Sequence, residues 1–124
     1  MLEAIELAWE HSRADDPATR HEEGGWIYMD ATTGRITTQR QRPGGQASID
    51  LSNPPTLPGL LVVGKFHTHP NPTAEGWNGG PSAADVRVDA LHGVPDIIRA
   101  DDGFHLSGPH ARRGGLRDAP GFPD

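Results

Sequence analysis

The sequence predicts an α/β domain: a mixed β-sheet flanked by helices. Three observations carry that expectation. An apolar pattern of helical period opens the chain, an uninterrupted strand-like run "LLVVGKFHTH" occupies residues 60–69, and a capped helical segment follows it before two further short strand patterns.

Each element has its own reason. Leu2, Ile5, Ala8 and Trp9 recur at helical spacing, so residues 2–12 read as a helix. "RADDPATRHEE" is polar and breaks it. "GGWIYMD" (24–30) is aromatic and β-branched and reads as a strand. "ATTG" turns the chain into "RITTQR" (35–40), its expected hairpin partner. "RPGGQ" turns again, "ASIDLS" (47–52) reads as a short third strand, and "NPPTLPG" is a rigid connector. The run at 60–69 is apolar on both faces in its first half, which predicts a central strand covered on both sides. "PNPTAEGWNGGP" (70–81) is a loop. "SAADVRVDALHG" reads as a helix, with Ser82 at its N-cap, Gly93 beyond its end and Pro95 following. "PDIIRA" and "FHLSG", joined by "DDG", form a closing hairpin pattern. From Pro109 the pattern is lost. The expected organisation is therefore one domain over 1–108 and an extended or flexible tail over 109–124.

Composition narrows the function. A chain of 124 residues is one domain on size alone. With 34% hydrophobic residues, 16 Gly and 12 Pro it is rich in turns and buries one modest core, which a bound metal would help to stabilise. A net charge of −6 argues against nucleic acid as a partner. The one basic cluster, Arg112, Arg113 and Arg117, reads as a solvated tail. There is no cysteine, so disulfides, thiolate metal sites and cysteine nucleophiles are excluded, and any metal must be held by histidines and carboxylates. The start "MLEAIELAWEHSR" is acidic where a Sec-type signal is basic, and no segment has the length of a membrane span. The expectation is a soluble, cytoplasmic protein that does not bind membranes, or one delivered from the cell as an effector by another route.

Chemistry-bearing residues gather around "HTHP". In a strand His67 and His69 share a face, and two imidazoles on one face suit one metal ion. Alone, H-x-H is a weak signal. The following "SAAD" has two readings. In one, Ser82 and Asp85 form a capping box. In the other, Asp85 leaves the helix N-terminus toward the strand end, where α/β sheets bind ligands, and becomes a third ligand beside Ser82. Two histidines and a carboxylate make an open zinc set, which leaves a position for an acidified water. Such chemistry needs a general base that is not a ligand. Glu22 and Glu23 are the candidates, though either one alone reads as a loop charge. Asp89, one helical turn after Asp85, reads either as a carboxylate supporting a ligand histidine or as a surface charge. His92 ends the helix as a favourable cation. His11, His21, His105 and His110 lack partners at useful spacing, and His105 reads as structural. Trp77 either contacts a substrate or packs its own loop down.

These residues resemble the JAMM signature of the JAB/MPN (Mov34-type) zinc metallopeptidases: an upstream Glu, then H-x-H-P, then S-x-x-D. Here they are Glu22, His67, His69 with Pro70, Ser82 and Asp85. The context is similar too, with "EEGGWIY" before a strand, H-x-H at a strand end and S-x-x-D opening a helix. The closest likeness is to compact bacterial JAB-like domains, some of which occur in toxin-type polyproteins, and it spans roughly residues 20–108. The resemblance implies a JAB/MPN, cytidine-deaminase-like architecture and one zinc ion held by His67, His69 and Asp85. It also implies Glu22 as general acid/base, Ser82 as a donor to the oxyanion, and hydrolysis of a peptide or isopeptide bond, with peptides or ubiquitin-like proteins as substrates. Glu22 has the better register over Glu23. The chain departs from the family in its 12-residue spacer between His69 and Ser82, which is longer than usual. The alternatives are a non-catalytic MPN-type interaction module, or a JAB-type effector with the same chemistry. A deaminase lacks its cysteine ligands here, and a cupin would need an all-β chain with a further histidine.

Overall fold

The computed structural model describes residues 1–109, 116–118 and 121–123. The strands are β1 (Gly24–Asp30), β2 (Ile36–Arg40), β3 (Leu60–His69), β4 (Asp96–Ala100) and β5 (Gly103–Ser107); the helices are α1 (Leu2–His11) and α2 (Ala83–His92). They form one five-stranded mixed sheet in the order β2-β1-β3-β4-β5. Only β3 and β4 run parallel, joined across α2; the other neighbours are antiparallel. The expected α/β class, with a mixed sheet and helices, is what the chain adopts.

Strand alternation gives the sheet two different faces. On one, Ile27, Phe66 and Ile97 meet Ile5 and Ala8 of α1 in the main core. Thr68 points to the same side and bonds Ser12 Oγ at 2.5 Å, tying the end of α1 to β3. On the other, Trp26 and Tyr28 pack with Leu51 under the 41–59 connection. That second face also carries Lys65, His67 and His69 in register along β3, beside α2.

Two glycines let β1 lie close to its neighbours. A Cβ on Gly24 would sit 2.5 Å from the Phe66 carbonyl oxygen and 3.0 Å from His67 Cβ, and one on Gly25 would collide with the Gln39 carbonyl of β2. "GG" therefore sets the spacing of the strands beside His67.

Three expectations need correction. "ASIDLS" is not a strand. The connection crosses the sheet face instead of pairing at an edge, because burying Leu51 against Trp26 and Tyr28 takes precedence over edge pairing. β3 is central, and its apolar half is covered on both faces only in part: Leu60 and Val62 pack toward Trp26 and Tyr28 and Val63 toward the main core. Leu60–Gly64 pair with β1 alone, since β4 begins opposite Lys65, and Leu61 is exposed. The buried half is "GKFHT". The tail is not wholly extended: Leu116 and Phe122 pack against the main core, and Leu116 fills the space above Gly64. His110, Arg112 and Arg113 lie outside the described residues. Among the described residues no helix is long and apolar enough to cross a membrane.

Candidate metal centre

The centre lies where the carboxyl end of β3 meets the amino end of α2. Glu22 precedes β1 and is held by its backbone, whose N–H donates to the Gly45 carbonyl while its carbonyl accepts from Gly44 N–H. Alternation then separates the two glutamates. Glu22 faces the same side as Trp26 and Tyr28, with a ligand-type atom inside a cluster in which Glu22, His67 and His69 all approach within 4.8 Å. Glu23 turns to the other face, where its carboxylate meets His21 at 3.2 Å and Arg40 at 3.2 Å. Glu22, not Glu23, reaches the histidines.

His67 and His69 present Nε2 atoms 3.0 Å apart. Their Nδ1 atoms are occupied elsewhere. His69 Nδ1 donates to the Gly79 carbonyl at 3.2 Å, and His67 Nδ1 donates to Asp96 Oδ1 at 3.1 Å. A carbonyl and a carboxylate only accept, so each Nδ1 carries a proton, and it is Nε2 of each ring that faces inward. Asp85 completes the set, with Oδ1 at 3.5 Å from His67 Nε2 and Oδ2 at 3.2 Å from His69 Nε2. Ligands on a tetrahedral ion with arms of about 2.0–2.1 Å stand about 3.3 Å apart. The two imidazoles and Asp85 Oδ2 beside His69 come close to that spacing, and Glu22 offers a second carboxylate within 4.8 Å of both histidines, so the histidine pair with a carboxylate could hold a metal ion, and its nitrogen and oxygen donors are of the type zinc takes.

The capping-box reading of "SAAD" is the one the chain adopts, and Asp85 also lies beside the histidines. Ser82 Oγ accepts from Asp85 N–H, and Asp85 Oδ2 accepts from Ser82 N–H, a complete capping box. The box aims Asp85 at the histidines. The long 70–81 loop still brings Asp85 within reach of both histidines. It is tied down along its length by Arg20 to Glu75, Thr73 to Asp101 and Asn71 to Gln46.

Sequence reasoning missed Asp96 and Lys65. Asp96 is the carboxylate that orients His67, a role considered above for Asp89. Asp89 is instead fully buried and pairs with the buried Lys65, its Oδ1 2.6 Å from the ammonium; Lys65 also bonds His92 Nδ1 at 2.7 Å. A charged residue opening the apolar strand "DIIRA" was the available signal, but its meaning depends on the parallel register with β3.

The electrostatics favour a cation. Glu22, Asp85, Asp89 and Asp96 surround the centre, with Lys65 as the one buried ammonium among them. Burial raises the Glu22 carboxyl to about 7, against the pull of His67 and His69. Burial would lower His67, but the carboxylates of Asp96 and Asp85 outweigh it and hold the imidazole well above its usual value. Burial would likewise raise Asp85, yet hydrogen bonds from His67 and His69 hold it well below the usual carboxylate range. In the absence of metal, a proton on His67 relieves the two facing lone pairs. A dication does so more completely.

Glu22, His69, Asp85, Ser82 and Trp77 line one open cavity of about 360 Å³. No family model, curated protein or solved structure matches the chain, so the reading of this centre rests on its own geometry.

Proposed function

We propose that this chain is a zinc-dependent metallohydrolase of the JAMM type, with a JAB/MPN-like architecture, that cleaves a peptide or isopeptide amide in peptides or ubiquitin-like proteins. One observation carries the reading: two imidazoles with their Nδ1 atoms tied to oxygen acceptors converge with Asp85, while Glu22 shares the cavity. His67, His69 and Asp85 would hold the ion. Bound there, zinc supplies a Lewis acid and a water acidified toward neutrality.

The chain's own residues do the rest. Glu22, whose carboxyl burial raises to about 7 in the metal-free chain, takes the proton of the attacking water and delivers it to the leaving nitrogen. The amide C–N bond breaks, and the products are a carboxylate and an amine. Ser82 Oγ uses a lone pair for the helix cap, which leaves its hydrogen free to donate to the developing oxyanion. Asp96 and the Gly79 carbonyl keep both rings turned inward.

The test is hydrolysis of ubiquitin-like fusions and a peptide library by the zinc-loaded protein, beside Glu22→Gln. The expected result is cleavage that falls by about 10²-fold or more in Glu22→Gln with full zinc retained. Equal turnover by the variant would remove Glu22 from the mechanism. No cleavage despite bound zinc would favour the non-catalytic interaction module.

A further inference from the structure

Trp77 is unusual for a large aromatic side chain. It is 47% exposed, yet it sits on a loop fixed at several points. Arg20, itself buried, pairs with Glu75 at 3.3 Å. Thr73 donates through both N–H and hydroxyl to Asp101. Asn71 and Gln46 exchange two hydrogen bonds, and Asn78 accepts from Gly80 N–H. Gly79 is bound to His69 and lies close against Ala100 and Asp102. The loop is thus anchored without Trp77, which belongs to neither hydrophobic cluster. Its indole instead lines the cavity that holds Glu22, His69, Ser82 and Asp85, with Pro81, Ala83 and Ala47 as further apolar or small walls.

We infer that Trp77 is a specificity-determining residue: it forms the apolar wall of a subsite that takes an aromatic or large aliphatic side chain flanking the attacked carbonyl. The inference rests on the metal-centre reading above, which fixes where the carbonyl sits. Three features of the cavity choose the occupant. An exposed indole on a fixed loop offers apolar area at little further cost in ordering. The small residues around it leave room for a bulky group. Glu22 and Asp85 in the same cavity disfavour an acidic one. Covering the indole with such a side chain strengthens binding by about tenfold or more.

The test uses two hydroxamates, which chelate zinc with or without an aromatic arm. Acetohydroxamate and 3-phenylpropionohydroxamate are titrated calorimetrically into the zinc-loaded wild type and into Trp77→Ala. The expected result is at least about tenfold tighter binding of the phenyl compound by the wild type. That preference should be lost in Trp77→Ala, with zinc content and acetohydroxamate affinity unchanged. Equal affinities in the wild type, or a preference that survives in Trp77→Ala, would overturn the inference. Failure of the wild type to take up zinc would overturn the metal-centre reading beneath it and is distinguishable on that ground, whereas a zinc-loaded wild type that binds neither hydroxamate would overturn the inference. Trp77 is exposed and outside both hydrophobic clusters, so misfolding is not expected; thermal unfolding of the variant checks it.

Discussion

The centre is built from side chains whose ordinary preferences conflict. Glu22 is the clearest case. Its carboxyl rises from the usual 4.5 to about 7 through burial, so the metal-free folded state binds a proton that the unfolded chain has already released between those values. Stability of the metal-free protein therefore falls as pH rises across that window. Glu22→Gln removes the effect: chemical denaturation should show it more stable than wild type at pH 8, by up to about 3 kcal/mol, and unchanged near pH 4. Equal stability at pH 8 would mean that the carboxylate is not held in a costly environment. Asp96→Asn keeps an acceptor for His67 but loses the charge, so zinc affinity measured by chelator competition should fall about tenfold or more, with full occupancy at saturating metal. The five motif residues were legible in the sequence because their types and spacing are distinctive. Asp96 and Lys65 were not, because nothing local marks a buried charge whose partner arrives from another strand.

At the scale of elements, the caps and the glycines position the chemistry. α2 buries only Asp89, leaving Val86, Val88 and Leu91 exposed, so apolar packing contributes little to its placement. Its capping box and the contacts of Asp85 and Asp89 place it instead. Ser82→Ala should cost about 1 kcal/mol in stability through the lost cap and also slow turnover; full activity would take Ser82 out of the site. Gly24→Ala should push β1 from β3 beside His67, at a cost of about 1–3 kcal/mol, and weaken zinc binding. Wild-type affinity in that variant would show that the strand spacing is not what holds His67. The helix limits and the strand at 60–69 were readable from caps and periodicity. "ASIDLS" misled because an alternating pattern marks a half-buried segment, whether or not it pairs at an edge.

The whole molecule is a modest core with a charged centre on one face of its sheet. Its fold class follows from the order of helix and strand patterns. Which half of β3 is buried does not, because that depends on where β4 begins. The packing of the tail was equally hidden: Leu116 and Phe122 stand apart in a polar stretch with no period, and Leu116 is buried against the core over Gly64, which a side chain there would obstruct. Leu116→Ala should therefore cost about 2–4 kcal/mol in denaturant unfolding, where an unpacked tail would cost nothing. The central claim, that His67, His69 and Asp85 hold a zinc ion, is tested most directly by elemental analysis of the purified protein beside His69→Ala. One zinc per chain is expected in the wild type, and its loss from the variant. Stoichiometric zinc retained by His69→Ala, or none in the wild type after zinc is added back, would contradict it.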